Sequence, residues 1–358
     1  MSLHFYPLTI QQIQQETDDC ISVAFNIPDD LKNVFTYKHG QNITLKATIN
    51  GEEVRRSYSL CSSPLSNDFR VAIKQLNNGL FSGYAHKNFK KGDVVEVMPA
   101  VGNFYTELDK NNTKNYVAFA AGSGITPILS IATTILLTEP NSNFTLIYGN
   151  KNSNSIIFKE EIDSLKNSFL HRFQLMHILS REVSEFPVFT GRINKEKLQQ
   201  LASVINYNKV DEFFICGPQE MIFTIKNYLE DIKIDTKKIH FEIFVPAPSS
   251  KTLINNEVAA NDNTPACNVV IKADGRSFDF KLPFNNTSIL DGALQNGADL
   301  PFACKGGMCC TCKAKLVEGE VKMDVHWGLG ADEIQQGFIL TCQSKPITDT
   351  IVVDFDVK

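Results

Sequence analysis

Residues 304–315 of the chain, CKGGMCCTCKAK, place four of its nine cysteines within nine positions. Cys304, Cys309 and Cys312 are separated by four and by two residues, and Cys342 follows after twenty-nine more. Thiols this close together form disulfides in small secreted domains, but this chain is long and its N-terminus has no charged-then-apolar signal pattern. The cysteine cluster therefore predicts metal binding or redox chemistry, with three ligands from one loop and a fourth from elsewhere.

The spacing C-x4-C-x2-C with a distant fourth cysteine is that of plant-type [2Fe–2S] centres. Each iron takes two thiolates beside the bridging sulfides, and Gly306 and Gly307 allow a tight turn that directs N–H groups at sulfur. A structural zinc site, which usually has two C-x2-C pairs, and four ordinary buried cysteines are the alternatives. Cys310 lies off the ligand spacing and is predicted to be a packing residue. The predicted cluster ligands are Cys304, Cys309, Cys312 and Cys342.

The overall composition limits the class of protein. A length of 358 residues predicts two or three domains, and 43% hydrophobic with 21% charged residues is typical of a folded globular chain. The net charge of −5, without a basic block, argues against nucleic acid as a partner. No apolar run is long enough to span a bilayer, so we expect a cytoplasmic protein that has no membrane partner.

The residue composition and the hydrophobic periodicity of the sequence change three times along the chain. Residues 1–108 contain short β-branched or alternating runs, such as ISVAFNI and QNITLKATI, and predict a barrel or sandwich. Residues 109–245 alternate apolar strands with helices, which predicts a parallel sheet with helices on both faces. Residues 246–264 are rich in Pro, Ser, Asn and Ala and predict a linker. Residues 265–358 form a compact third region that opens with two strands around a DG turn.

The first two regions contain four short motifs, and none of them alone identifies a binding site. RRSYSL (55–60) lies on a predicted strand, and NNGLFSGYAH contains a G-x-x-S turn before a helix. AAGSGITP (120–127) follows a strand and opens a helix, where a pyrophosphate can approach backbone N–H groups. ICGPQEM (215–221) is a second strand-to-helix turn. A plain strand, a plain turn and a buried strand-end cysteine are the alternatives for each motif alone.

Taken in this order, the motifs resemble those of the ferredoxin–NADP reductase superfamily. PFACKGGMCCTCKAKLVEGEV with GFILTCQSKP resembles the ferredoxin domain fused to the C-terminus of oxygenase reductases. The resemblance implies an N-terminal flavin-binding β-barrel, a doubly wound parallel-sheet nicotinamide domain and a C-terminal β-grasp ferredoxin domain. It also implies three cofactors, which are FAD (preferred over FMN by analogy alone), a [2Fe–2S] cluster and a nicotinamide nucleotide.

The resemblance also assigns site residues. Arg56 would pair with the flavin pyrophosphate, Tyr58 would pack against the isoalloxazine and Ser59 would sit by flavin N5. Cys216 would position the nicotinamide without acting as a nucleophile, and Glu242 would shuttle a proton. The implied catalytic residues are Ser59, Cys216 and Glu242. The implied cofactor-binding residues are Arg56, Ser57, Tyr58, Ser59, Gly79, Phe81, Ser82, Gly122, Gly124, Thr126, Pro127, Ser180, Arg181, Cys216, Gly217, Pro218 and Phe244.

The choice between NADPH and NADH depends on the segment LSRE. It places Ser180 and Arg181 at the end of a predicted strand, where nucleotides bind in such folds. NADPH-using members of the superfamily carry Ser and Arg there for the 2′-phosphate, whereas an acidic residue would bind the NADH ribose. Glu182 is adjacent, so NADPH is favoured and NADH stays open.

The domain order implies a path of electrons from NADPH to FAD to the cluster and then to a partner. The reductases of phenylacetyl-CoA epoxidase, a multicomponent di-iron oxygenase, have this order, as do those of ketosteroid hydroxylases, so the resemblance implies an oxygenase component as the acceptor. A stand-alone flavin or quinone reductase and a non-enzymatic redox sensor are the alternatives from other classes. His326 and Trp327, shortly before Cys342, receive no role beyond packing.

Overall fold

The first third of the chain forms a closed antiparallel sheet. The computed structural model describes residues 4–244, 265–284 and 287–357, so the predicted linker 246–264 lies outside the described residues. The six strands are β1 (Tyr6–Thr17), β2 (Cys20–Asn26), β3 (Asn42–Ile49), β4 (Glu52–Ser59), β5 (Arg70–Lys74) and β6 (Val94–Val101). They pair in the order β4-β3-β6-β1-β2-β5. An isolated antiparallel bridge between Leu60 and Val71 connects the two outer strands, so the sheet closes as a barrel. Helix α1 (Leu80–Asn88) follows β5.

The second third of the chain is a parallel sheet with helices on both faces. Its strands are β7 (Asn115–Ala121), β8 (Asn143–Asn150), β9 (Phe173–Leu179), β10 (Glu212–Gly217) and β11 (Ile239–Ile243), in the order β11-β10-β7-β8-β9. Its helices are α2 (Ile125–Thr138), α3 (Lys159–Ser168), α4 (Lys195–Leu201) and α5 (Gln219–Asp231). One apolar core lies under α2 and α3 and the other under α4 and α5. The strand order reverses between β7 and β10, which is where ligands bind in such sheets.

The last part of the chain is a small mixed sheet covered by a helix. Its strands are β12 (Ala266–Ala273), β13 (Arg276–Pro283), β14 (Lys313–Glu318), β16 (Phe338–Leu340) and β18 (Thr350–Asp354), in the order β13-β12-β18-β14-β16, with β15 (Val321–Met323) and β17 (Ser344–Pro346) paired separately. Its helices are α6 (Ile289–Gln295) and α7 (Ala331–Gln335). Gly292 lets α6 approach the sheet closely, because a Cβ there would lie 2.6 Å from a methyl group of Leu282. The cysteine loop 304–312 leads from α6 into β14.

Within the three described ranges, no helix combines the length and the apolar character that crossing a bilayer requires.

Two glycines of the barrel have the same left-handed backbone but different surroundings. Gly40 has φ of +81°, and a Cβ there would lie 2.0 Å from the carbonyl oxygen of Phe104. Gly51 has φ of +82° with no other atom within 4 Å of the same position. The backbone conformation alone disfavours an L side chain at both positions, and only Gly40 adds a collision.

We therefore expect Gly40→Ala to destabilise the protein more than Gly51→Ala. Both substitutions carry the strain of a left-handed residue, about 1 kcal/mol, and Gly40→Ala also forces the Phe104 backbone to move. Urea unfolding followed by circular dichroism measures the difference. Equal free energies of unfolding for the two variants would contradict the close approach of Gly40 to Phe104.

Candidate functional site

The four predicted ligand thiols meet in two pairs. Cys304 shares a hydrogen bond with Cys309, and Cys312 shares one with Cys342. This bond raises the pKa of Cys304 and of Cys312, and it lowers the pKa of Cys309 to about 6 and also lowers that of Cys342. Each iron of a [2Fe–2S] cluster binds two protein thiolates, so two pairs are the arrangement that the cluster requires.

Backbone and hydroxyl donors surround these sulfurs. The Gly306 N–H donates to Cys304 Sγ over 3.3 Å, and the Thr311 hydroxyl donates to Cys309 Sγ over 3.2 Å. Gly307 adopts φ of +74°, and a Cβ there would lie 2.8 Å from the carbonyl oxygen of Val325. Donors directed at sulfur stabilise negative charge on a cluster, as the glycines of the loop predict.

Cys310 joins neither thiol pair. Its thiol donates to the carbonyl oxygen of Gly328 instead.

Ser59 and Glu242 meet where the barrel and the parallel sheet adjoin. The Ser59 hydroxyl donates to Glu242 Oε2 over 2.8 Å, although the two residues are 183 positions apart in the sequence. Burial, with a smaller contribution from the nearby Cys309, raises the pKa of Glu242 to about 7 against the opposing hydrogen bonds from Ser59 and Asn42. Two residues predicted to serve hydride and proton transfer thus lie next to the cysteine loop.

The predicted flavin motifs come together around α1. The rings of Tyr58 and Phe81 lie 5.8 Å apart at 42°. Gly79 precedes the helix, and a Cβ there would lie 2.4 Å from Ser82 Oγ and 2.9 Å from Leu76 Cβ, so the turn leaves little room for a side chain. Ser82 Oγ accepts from the Leu76 N–H over 3.2 Å. No side chain caps α1, so its first N–H groups are available to a phosphate.

Adjacent arginines of β4 have different partners. Arg56 is half-buried and its Nη1 donates to the carbonyl oxygen of Arg55 over 2.7 Å, while the Ser57 hydroxyl lies 3.4 Å from that of Thr44. Arg55 is buried and contacts the ferredoxin domain. The sequence analysis missed Arg55, although the RR pair contained a signal. Successive side chains of a strand point to opposite faces, so both arginines cannot face one ligand.

The nicotinamide turns meet at the carboxyl ends of β7 and β10. A Cβ on Gly124 would lie 2.2 Å from the carbonyl oxygen of Cys216, so only glycine allows α2 to start this close to β10. The hydroxyl of Tyr148 donates to the carbonyl oxygen of Gly122 over 3.0 Å and holds the first turn. Cys216 is completely buried, which raises the pKa of its thiol and agrees with packing rather than nucleophilic chemistry.

The remaining predicted residues flank these turns. Thr126 is buried in the first turn of α2 and its hydroxyl donates to the Ser123 carbonyl oxygen over 3.0 Å. Phe244, directly after β11, packs half-buried against the core under α2 and α3. The other residues adjoin the helix starts: Pro127 lies in the first turn of α2, and Gly217 and Pro218 lie directly before α5.

The two charged residues directly after β9 differ in their surroundings. Ser180 is half-buried and Arg181 is exposed at the end of the strand. Glu182 Oε1 accepts from both the N–H and the hydroxyl of Ser153, each over 2.9 Å. The carboxylate is therefore already used to hold the loop after β8.

Two residues of the ferredoxin domain contact the nicotinamide domain. Met308, inside the cysteine loop, packs against the core under α4 and α5. Trp327 meets Phe223 of α5 edge-to-face, with ring centroids 5.5 Å apart. Trp327, which had no role in the sequence analysis, is thus an interdomain contact.

Three domain families match the chain in this order. The oxidoreductase FAD-binding domain matches residues 7–105, the oxidoreductase NAD-binding domain matches residues 119–227, and the 2Fe-2S iron-sulfur cluster binding domain matches residues 271–346. The last range contains all four predicted ligand cysteines.

Relatives of the chain match it over nearly its whole length. It is 42% identical to a subunit of the 1,2-phenylacetyl-CoA epoxidase of Escherichia coli (strain K12), over 99% of this chain and 98% of that one. It is 31% identical to the ferredoxin reductase component of 3-ketosteroid-9-alpha-monooxygenase of Rhodococcus rhodochrous, over 97% and 96%. The crystal structure of phthalate dioxygenase reductase, titled a modular structure for electron transfer from pyridine nucleotides to [2Fe–2S], has a TM-score of 0.59 at 26% identity and 98% coverage of both chains.

The fold and the site thus define an oxidoreductase that binds FAD, a nicotinamide nucleotide and a [2Fe–2S] cluster. The chain belongs to the ferredoxin–NADP reductase superfamily, among the reductase components of oxygenases that carry a C-terminal ferredoxin domain. The predicted three-part fold and the three predicted types of cofactor are confirmed.

The pKa of Glu242 predicts a pH-dependent stability. Because it lies near 7 in the folded protein and near 4.5 ordinarily, the folded state binds this proton more tightly. The stabilisation is complete below the ordinary value and is lost as pH rises through the folded value. Glu242→Gln carries no such proton, so it should gain about 2 kcal/mol relative to the wild type as pH rises from about 5 to about 8. Urea unfolding at both pH values measures this gain, and a constant difference would contradict it.

Proposed function

We propose that the protein is a cytoplasmic, NADPH-dependent reductase component of a phenylacetyl-CoA epoxidase, a multicomponent oxygenase. The observation that supports this most is the 42% identity to the Escherichia coli relative over nearly the full length of both chains. When bound, the flavin accepts the two electrons of a hydride together and releases them singly, and the cluster takes one electron at a time. A plant-type cluster potential of about −400 mV suits an oxygen-activating acceptor.

In the proposed function, individual residues of the chain have separate roles. Arg56 and the first turn of α1 bind the flavin phosphates, because a guanidinium and open helix N–H groups both suit a pyrophosphate. Glu242 holds a proton on its carboxyl group, and the Ser59 hydroxyl fixes the orientation of that group by donating to Oε2. Cys216 fixes the distance between the strand turn and the nicotinamide. The proposed cluster ligands are Cys304, Cys309, Cys312 and Cys342.

The preference for NADPH rests on Arg181. Its exposed guanidinium stands at the carboxyl end of β9, where a 2′-phosphate is bound in sheets of this type. Glu182, the residue that would otherwise bind the ribose hydroxyls of NADH, is held by Ser153. A cation is therefore open to the nucleotide and the competing carboxylate is not.

Replacing Arg181 with Ala should raise the KM for NADPH by about tenfold or more, because a charge-assisted hydrogen bond to phosphate is lost. The KM for NADH should stay within about twofold of the wild-type value, since NADH has no 2′-phosphate to lose. Steady-state ferricyanide reduction with each nucleotide measures both constants. Lys166→Ala, at an exposed cation on α3, is the control. An equal rise for both nucleotides would contradict the assignment.

Reconstitution tests the function as a whole. With the oxygenase component of phenylacetyl-CoA epoxidase, the wild-type protein should support NADPH-driven epoxide formation. Cys312→Ser should abolish this activity while leaving ferricyanide reduction by the flavin intact, because only the cluster loses a ligand. Cys310→Ser, two positions away and outside both thiol pairs, should behave as wild type.

Two results would reject the proposal. If the wild type drives only a 3-ketosteroid monooxygenase, the proposed acceptor is wrong and the Rhodococcus relative, 31% identical over nearly its whole length, is the better guide. If Cys312→Ser supports epoxide formation as well as Cys310→Ser does, the electrons do not pass through the proposed cluster.

A further inference from the structure

The contact between the barrel and the ferredoxin domain centres on Arg55, a β4 residue that is 8% exposed. Its Nη1 donates to the carbonyl oxygen of Leu300 over 3.3 Å. Its guanidinium carbon lies 4.2 Å from the ring centroid of Phe302, and Nη2 lies 3.7 Å from the Asp299 carboxylate. All three partners lie in the segment that runs into Cys304.

The barrel itself holds Arg55 in place. Nε donates to the Glu53 carboxylate over 2.6 Å, and the guanidinium lies 5.0 Å from the ring centroid of Phe5. These two contacts do not involve the ferredoxin domain, so the arginine keeps a charged partner whether or not that domain is in contact. A planar guanidinium fixed in advance loses less rotational freedom when it binds a second surface.

Contacts within the ferredoxin domain also hold the residues that meet Arg55. The ammonium group of Lys305 lies 4.8 Å from the ring centroid of Phe302, so that ring contacts cations from both domains. Lys305 also pairs with Asp291 at 2.7 Å, and its carbonyl oxygen accepts from the Gln343 amide over 2.8 Å. Phe302 lies two residues before Cys304, so the contact with Arg55 adjoins the ligand loop.

The other contacts of the ferredoxin domain differ in kind. Met308 and Trp327 make apolar contacts with the nicotinamide domain. Two exposed polar contacts join the domain to the barrel: Asn103 donates to the Glu333 carboxylate over 2.9 Å, and His4 Nε2 lies 3.6 Å from the Asp274 carboxylate. Exposed polar pairs contribute little to binding, whereas buried arginines at the centre of an interface often dominate it. Arg55 combines burial, a carbonyl partner and two aromatic rings.

We propose that Arg55 is a positioning residue that clamps the ferredoxin domain on the barrel during electron transfer inside the protein, an inference that rests on the proposed function. In this step one electron leaves the reduced flavin and one reaches the oxidised cluster, and no bond forms or breaks. Arg55 contacts neither the nicotinamide turns nor the Ser59–Glu242 pair in the described structure. Its loss should slow the transfer to the cluster without slowing the hydride step.

Stopped-flow absorbance on the full-length holoprotein separates the two steps. In Arg55→Ala, NADPH should reduce the flavin at a rate within about twofold of wild type, whereas reduction of the cluster should slow about tenfold or more. Arg55→Lys, which keeps the cation, should recover part of the rate. Arg70→Ala removes a partly buried arginine of the same barrel whose side chain pairs with Asp68, Ser22 and Gln12, and it should behave as wild type.

A tether distinguishes positioning from any other effect of the substitution. Asn103→Cys and Asp332→Cys, next to Glu333, can be joined by a short bismaleimide, which holds the domains together without Arg55. In the Arg55→Ala background this tether should restore cluster reduction to the wild-type rate. Small-angle scattering should show a larger radius of gyration for untethered Arg55→Ala than for wild type and Arg70→Ala, a readout independent of activity.

Different results would overturn the role of Arg55 and the proposed function. Unchanged cluster reduction in Arg55→Ala, an equal effect of Arg70→Ala, or failure of the tether to restore the rate would each overturn the role of Arg55. Absence of a cluster signal in the wild type would instead reject the proposed function. The scattering comparison would then still report whether Arg55 holds the two domains together.

Discussion

The packing of one cysteine loop against the junction of two other domains is the constraint on which the rest of the structure depends. A nicotinamide delivers a pair of electrons, and an iron–sulfur cluster accepts them singly, so the sites for both must adjoin the flavin. The chain meets this requirement by bringing Ser59 of the barrel, Glu242 of the parallel sheet and Cys309 of the loop together, although they come from three separate domains.

The interface that holds the cysteine loop at this junction consists of apolar contacts and a few polar ones. It combines an aromatic and a methionine contact with the nicotinamide domain and, on the barrel side, one buried arginine and two exposed polar contacts. Interfaces between domains of one chain resemble transient protein–protein interfaces. Such a contact suits a ferredoxin domain that must receive an electron on the barrel and then present the same cluster to a partner protein.

Much of the fold and of the cluster site could be predicted from local sequence patterns. The cysteine spacing and the alternation of strands and helices over residues 109–245 reflect short-range periods and turns, and the observed β7–β11 and α2–α5 alternate as predicted. The strand β1 was not predicted, because its many glutamines and threonines hide the alternation of apolar and polar residues that is typical of a strand. The domain partners of Arg55, Met308 and Trp327 escaped it because contacts between distant segments leave no local period. Only the RR pair on β4 gave a usable sign, through the two faces of a strand.

Metal and sulfide analysis of the wild-type protein, purified without oxygen, tests the central claim most directly. The two thiol pairs, the donors directed at sulfur and the match of residues 271–346 to the 2Fe-2S iron-sulfur cluster binding domain predict about two irons and two acid-labile sulfides per chain. About one zinc per chain with no labile sulfide would contradict the account, because no one-electron carrier would then connect the flavin to a partner.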